Sequence, residues 1–389
     1  MEKLQNRFSQ MLVETPTEFH RYMWDRIDWN DRLIGIKGPR GIGKTTMLLQ
    51  RAKEQLDRNT TLLVNADDLY FATHSLVDLA DAFVRAGGEV LLIDEVHKYK
   101  DWSRELKLIY DYHKSLRVVF TGSSILDIEE GEADLSRRVV PYDMQGLSFR
   151  EYLMFFKGME LPLLSLEEVL RHQVNVPEGF HPYAYFAEYL RQGYYPFSDE
   201  PHFEQRLMQV VNKTIEVDIP QYTEMTVAAT RKLKRLMNIV AESVPFKPNI
   251  STISQILGVS RNVLPEWLAY MEKAGLIMQL RDDTGGIRGL GKVDKVYLDN
   301  SSLMYLLGRD NTDIGNVRET FFMNQTRVAH DVITSSVSDF QIGKYTFEIG
   351  GHRKGQKQIQ GIADAYIVKD DTEQGYQNVI PLWVIGLMY

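Results

Sequence analysis

Gly38-Pro39-Arg40-Gly41-Ile42-Gly43-Lys44-Thr45-Thr46 fits the pattern G-x-x-x-x-G-K-[ST] without a mismatch. The apolar run Leu33-Ile34-Gly35-Ile36-Lys37 before it reads as a buried strand. Met47 to Leu56 after it is rich in helix formers. A strand, a glycine loop and a helix start together make an anion site, because backbone N–H groups and the helix dipole both favour negative charge there. Gly38, Gly41 and Gly43 allow close approach of the backbone to phosphate. The pattern places Gly38, Pro39, Arg40, Gly41, Ile42, Gly43, Lys44, Thr45 and Thr46 around a bound nucleotide. Lys44 reaches the β- and γ-phosphates, and the Thr45 hydroxyl holds Mg²⁺.

The chain has 389 residues, 44% of them hydrophobic. At about 150 residues each, that suggests two or three domains. The net charge is −8, so there is no global basic field, and nucleic acid would have to bind a local patch. Cysteine is absent, which excludes disulfides, thiolate metal sites and cysteine nucleophiles. No run of about 18 apolar residues exists to span a membrane. Met1 to Arg7 lacks an apolar signal core, so the default expectation is a cytoplasmic protein.

Further along, Thr61 to Asn65 reads as a second strand and Leu76 to Ala86 as a helix. Val90-Leu91-Leu92-Ile93 is a buried parallel strand that ends in Asp94 and Glu95. Carboxylates at the C-terminal end of such a strand sit where α/β sheets bind ligands. In P-loop ATPases this is the Walker B strand. Asp94 then binds Mg²⁺ and Glu95 activates the attacking water. The strand Leu116 to Ser124 ends in hydroxyls, and Ser123, with Thr121 as second choice, is the candidate sensor of the γ-phosphate. Both hydroxyls can equally cap the next helix. Arg137 and Arg138 precede a strand over Val139 to Met144. Either arginine could serve as a finger reaching a neighbouring subunit's γ-phosphate, or simply form a surface salt bridge.

The segments GPRGIGKTT, VLLIDEVHKYKDW, VVFTGSS, SRR and GLSFREYL, taken in order, resemble AAA+-type ATPases of bacteria and archaea that carry a C-terminal domain of unknown function. The resemblance is strongest from Arg32 to Leu153. It implies an α/β fold with a RecA-like parallel-sheet core, then a helical segment, a winged helix and a small α/β module related to PD-(D/E)xK nucleases. The expected division is an ATPase core over 1–150, a helical lid or linker over 151–230, a winged helix over 231–300 and a degenerate nuclease-like domain over 301–389.

Gln192-Gly193-Tyr194-Tyr195-Pro196 resembles the family's glycine-and-proline turn. Leu233, Leu236, Met237 and Val240 give the spacing of an amphipathic helix. Ser251 to Leu257 and a helix N-capped by Ser260 follow, with Leu264, Trp267, Leu268 and Met271 on one face. Leu276 to Leu280 then pairs with Lys292 to Leu298. The exposed face of the third helix offers Arg261, Asn262, Glu266, Tyr270 and Lys273. The hairpin adds Arg281, Arg288, Lys292 and Lys295, opposed by Asp282, Asp283 and Asp294. Such a module serves either DNA binding or packing.

By the same resemblance Arg318 to Phe322 carries a first acidic residue, Asp364 matches the nuclease aspartate, and a strand over Pro381 to Gly386 should supply E-x-K. Trp383 and Ile385 occupy those positions, so the module is expected to be inactive.

The leading expectation is an Mg²⁺-dependent ATPase whose ATP/ADP cycle drives or switches a DNA- or protein-binding module, with a homo-oligomer implied if an arginine finger acts. The alternative is a nucleotide-gated binding module with negligible turnover. A kinase shares the phosphate loop, but the Asp-Glu pair and the sensor-like strand end disfavour it.

Overall fold

The computed structural model describes residues 1–122, 135, 137–223, 225–243, 245–283, 292–308, 312–351 and 354–389. Two compact units, Met1–Gln145 and Gly146–Tyr389, divide the chain.

In the first unit five apolar runs form strands: β1 (Leu33–Lys37), β2 (Thr61–Asn65), β3 (Val90–Asp94), β4 (Arg117–Gly122) and β5 (Val140–Asp143). They pair in the order β2-β3-β4-β1-β5, every pair parallel. Every residue of β1 and β3 is buried, as expected for strands covered on both faces. Helices α1 (Glu2–Glu14), α2 (Lys44–Gln55), α3 (Leu76–Arg85) and α4 (Trp102–Tyr112) accompany the sheet. Ser75 and Asp78 fix the start of α3 by a reciprocal capping box.

The order matters for the site. β4 lies between β1, which leads into the phosphate loop, and β3, which carries the acidic pair. Thr121 is level with Ile36 on one side, and Phe120 is level with Ile93 on the other. Gly35 permits this closeness: a Cβ there would come 2.8 Å from the Phe120 ring.

The second unit begins with helices and ends in a mixed sheet. Phe149–Lys157 packs an aromatic ring against Tyr183–Glu188, which packs one against Ile314–Thr326. Ring centroids of Phe149 and Phe186 lie 5.2 Å apart, and those of Phe186 and Phe321 5.0 Å apart, in edge-to-face contact. The helix at Tyr183–Glu188 runs on into a π-helical turn, Tyr189–Gly193. A Cβ at Gly193 would strike the rings of Tyr189 and Tyr152, so the glycine of the expected turn lets these rings close over the backbone.

Val227–Ser243, Ile250–Leu257 and Val263–Lys273 follow as three helices. The antiparallel pair β6 (Ile277–Arg281) and β7 (Val293–Leu298) completes the expected order. Leu264, Trp267, Leu268 and Met271 are buried, as their spacing predicts. The third helix starts later than expected. Asn262, not Ser260, is its N-cap, and no side chain caps it.

The last sheet has the order β12-β11-β10-β9-β8, built from β8 (Val332–Thr334), β9 (Phe340–Ile342), β10 (Tyr345–Gly350), β11 (Ala365–Lys369) and β12 (Val379–Pro381). The expected strand over Pro381 to Gly386 is not formed. Leu382–Leu387 is a fully buried 3₁₀ helix. A short, wholly apolar run suits a buried strand and a buried helix equally, so its pattern could not distinguish them. No helix among the described residues is long and apolar enough to cross a membrane.

Phe120 is fully buried and its ring lies 5.8 Å from that of Trp102. Phe120→Ala should therefore cost about 3–5 kcal/mol, read as a lowered urea midpoint.

Candidate functional site

The loop after β1 has the backbone its glycines predict. Gly43 has φ +93 and caps α2 without a side-chain hydrogen bond of its own. Gly38 lies so near the chain after β5 that a Cβ would come 2.1 Å from the Met144 carbonyl oxygen. Lys44 is buried, and its Nζ donates to the carbonyls of Gly38 and Pro39, 2.8 Å from each. Its ammonium is thus folded over the loop that it closes. Ile42 is fully buried and anchors the loop's apex. Thr46 follows Thr45 in the first turn of α2 and is exposed.

The acidic pair is held from two sides. Thr45 Oγ1 donates to Asp94 Oδ2 at 2.8 Å, and Thr121 Oγ1 donates to Asp94 Oδ1. Thr121 Oγ1 also accepts from the Glu95 backbone N–H at 3.1 Å. Asp94 is almost completely buried. Burial pushes its carboxyl above the usual range, opposed by the hydrogen bonds from Thr121 and Thr45. The adjacent Glu95 charge raises it further, while Lys44 lowers it. Glu95 has φ +53, a left-handed conformation that a non-glycine residue rarely takes. Its Oε2 lies 3.5 Å from the Arg40 guanidinium and 3.7 Å from Nε2 of the buried His97.

Of the two hydroxyls at the end of β4, Ser123 lies outside the described residues. Thr121 is fully buried and bonded to the acidic pair. Arg138 binds both oxygens of Asp111 on α4, at 3.1 Å each, while Arg137 is exposed.

Sequence reading missed Arg21. It is buried, donating to the carbonyl of Ile42 in the loop and, at 2.6 Å, to that of Gln145 after β5. Tyr22 adds a second tie, its hydroxyl accepting from Gln145 N at 3.0 Å. The phosphate loop is thereby braced against the last residues of the first unit. A lone arginine in a polar leader gives no spacing signal, so only the fold identifies it.

In the second unit the two acidic residues singled out by the resemblance, Glu319 and Asp364, have different partners. Asp364 is exposed at the entry to β11, 3.5 Å from Lys344. Glu319 is half-buried beside Lys295 at 3.3 Å and Tyr297 Oη at 2.8 Å, and Lys295 also lies 3.5 Å from Asp339. Burial, with the Asp339 charge adding, raises the Glu319 carboxyl, and Lys295 opposes the shift. The fully buried Glu348 pairs with Lys354. Among the described residues no group of three or more metal-ligating side chains is placed to hold a metal ion.

In the three-helix segment Arg281 pairs with Glu272 and Lys295 with Glu319, whereas Arg261 and Lys292 are exposed. Arg288 lies outside the described residues.

The AAA domain family model matches residues 30–153. Residues 30–153 form an AAA-type P-loop domain. A second model, Domain of unknown function (DUF8612), matches residues 183–313. An uncharacterized protein of Methanocaldococcus jannaschii is 26% identical over 278 residues, which are 66% of this chain and 58% of that protein. The chain thus spans little more than half the length of that relative. Among solved structures, a Walker-type ATPase of Pyrococcus abyssi aligns with a TM-score of 0.42 and 12% identity, over 76% of this chain and 99% of the other. Caenorhabditis elegans PCH-2 aligns with a TM-score of 0.26 and 16% identity, over 70% and 66%. Both structural likenesses are too loose to bear on the reading. The AAA match takes in the loop Gly38–Thr46 and the acidic pair Asp94 and Glu95.

Thr121→Val keeps the shape but leaves an Asp94 oxygen and the Glu95 N–H short of a partner. Stability should fall by roughly 1–3 kcal/mol in urea titrations, and Mg²⁺-nucleotide affinity should fall with it in calorimetry.

Proposed function

We propose that the protein hydrolyses ATP to ADP and phosphate at the loop Gly38–Thr46. The observation that carries this is the direct bond between Thr45 and Asp94, a hydroxyl from the phosphate loop's helix joined to a carboxylate from β3. These are hard oxygen donors, one of them a buried carboxylate with a raised pKa, and they suit Mg²⁺. Two protein ligands suffice, because Mg²⁺ takes its remaining oxygens from water and substrate phosphates. When bound, the ion supplies charge neutralisation at the β- and γ-phosphates.

The chain's own residues do the rest. The loop amides bind the phosphates together with Lys44, whose ammonium donates to the Gly38 and Pro39 carbonyls in the loop. Glu95 accepts a proton from the attacking water. Thr121 holds the acidic pair in register, leaving Ser123 as the hydroxyl assigned to the γ-phosphate. Arg137 and Arg138 are the candidates for reaching a neighbouring copy. Arg138 must first leave Asp111, so the exposed Arg137 is the better placed.

The work of hydrolysis falls on the second unit, with residues 231–300 as a winged helix, 151–230 as the helical lid or linker and 301–389 as a nuclease-like module without catalytic metal. A second reading has a specific observation behind it. Arg281 and Lys295, two of the hairpin's cations, are engaged by Glu272 and Glu319. Ion pairing of these two cations within the chain favours a protein partner, switched by nucleotide with negligible turnover. A cytoplasmic location suits either reading.

Steady-state turnover, with and without duplex DNA, separates the two. Glu95→Gln should retain ATP but lose turnover by about 10²–10⁴-fold, and Lys44→Ala should lose binding itself. Unchanged hydrolysis in Glu95→Gln removes the assigned base. Stimulation by DNA sinks the second reading.

A further inference from the structure

The carboxylate assigned to the attacking water is not waiting unengaged. Arg40 stands third in the phosphate loop, and its guanidinium reaches the Glu95 carboxylate at 3.5 Å. Both side chains are largely covered, 18% and 19% exposed. His97, buried behind them, approaches the same carboxylate oxygen at 3.7 Å. The backbone of Glu95 is fixed by its N–H bond to Thr121. The loop that receives the nucleotide therefore also grips the base that would act on it.

Nucleotide entering this loop changes the competition for Arg40. The loop amides and Lys44 serve the inner phosphates, whereas a third phosphate adds a terminal group with several charged oxygens. A guanidinium fork matches such a group in a two-point, charge-assisted contact that a single carboxylate oxygen at 3.5 Å does not offer. ADP brings no such group and leaves the pair as it stands.

We propose that Arg40 is a γ-phosphate sensor that exchanges Glu95 for the terminal phosphate of ATP, so that the base is released only when the substrate is complete. No covalent bond changes in this step, and one ion pair replaces another. Arg40 acts on the chemistry through Glu95 and is a positioning residue. The inference rests on the proposed function, since it needs ATP in the loop and Glu95 as base.

The test uses the full chain with Mg²⁺ and measures Kd for ADP and for adenylyl-imidodiphosphate. Arg40→Ala should weaken the triphosphate analogue about tenfold or more while moving ADP less than about twofold, and Arg40→Lys, which keeps charge without the fork, should fall between. A second readout follows the His97 imidazole by NMR, its signal assigned by loss in His97→Gln. In the wild type this signal should shift with the analogue and stay with ADP. In Arg40→Ala the two nucleotides should give the same signal. Equal weakening of both nucleotides, an unchanged ratio, or a wild-type His97 signal that responds alike to both overturns the proposal. Wild-type protein that binds neither nucleotide sinks the proposed function as well. Binding of both with an unaltered ratio in Arg40→Ala sinks only this inference.

Discussion

Asp94 is a carboxylate placed where a carboxylate is costly. It is almost fully buried at the end of β3, and burial alone would favour its neutral form. Two threonines make the position tenable: Thr45 from the first turn of α2 and Thr121 from the end of β4. These bonds join the phosphate loop, the acidic strand and the strand between them. The sheet order allows it, because β4 pairs with β3 and brings Thr121 alongside Asp94. Half-satisfied buried networks are destabilising, whereas satisfied ones fix a single arrangement.

The loop is braced from the other side as well. Arg21 ties Ile42 to Gln145, and Gly38 lies against the Met144 carbonyl. The residues that close the first unit are thereby bonded to the residues that would hold phosphate. A rearrangement of the loop would be felt at Asp143–Gln145, where the first unit ends.

The second unit brings together segments that lie far apart in the chain. Its helices around Phe149 and Tyr189 and its late helix around Phe321 share one aromatic core, although more than a hundred residues separate them. Each segment has ordinary helical spacing, and nothing in the spacing says which segments meet. The same limit explains the acidic residues. Asp364 sits at a sequence position that resembles a metal site, yet Glu319 and Asp339 are the carboxylates drawn together, around Lys295.

By itself the sequence determined the phosphate loop, the acidic strand end and the α/β character of residues 30–153, because glycine spacing and buried apolar runs act locally. It also foresaw three helices and a hairpin between Val227 and Leu298. Tertiary structure decided what the side chains do there. Pairing in space joined Thr121 to Asp94, gave Arg40 the carboxylate of Glu95, and found a partner for Arg21. It also wound Leu382–Leu387 into a helix where a strand was expected. Hydrogen bonds and ion pairs between residues tens of positions apart depend on strand order and register, which no local pattern encodes.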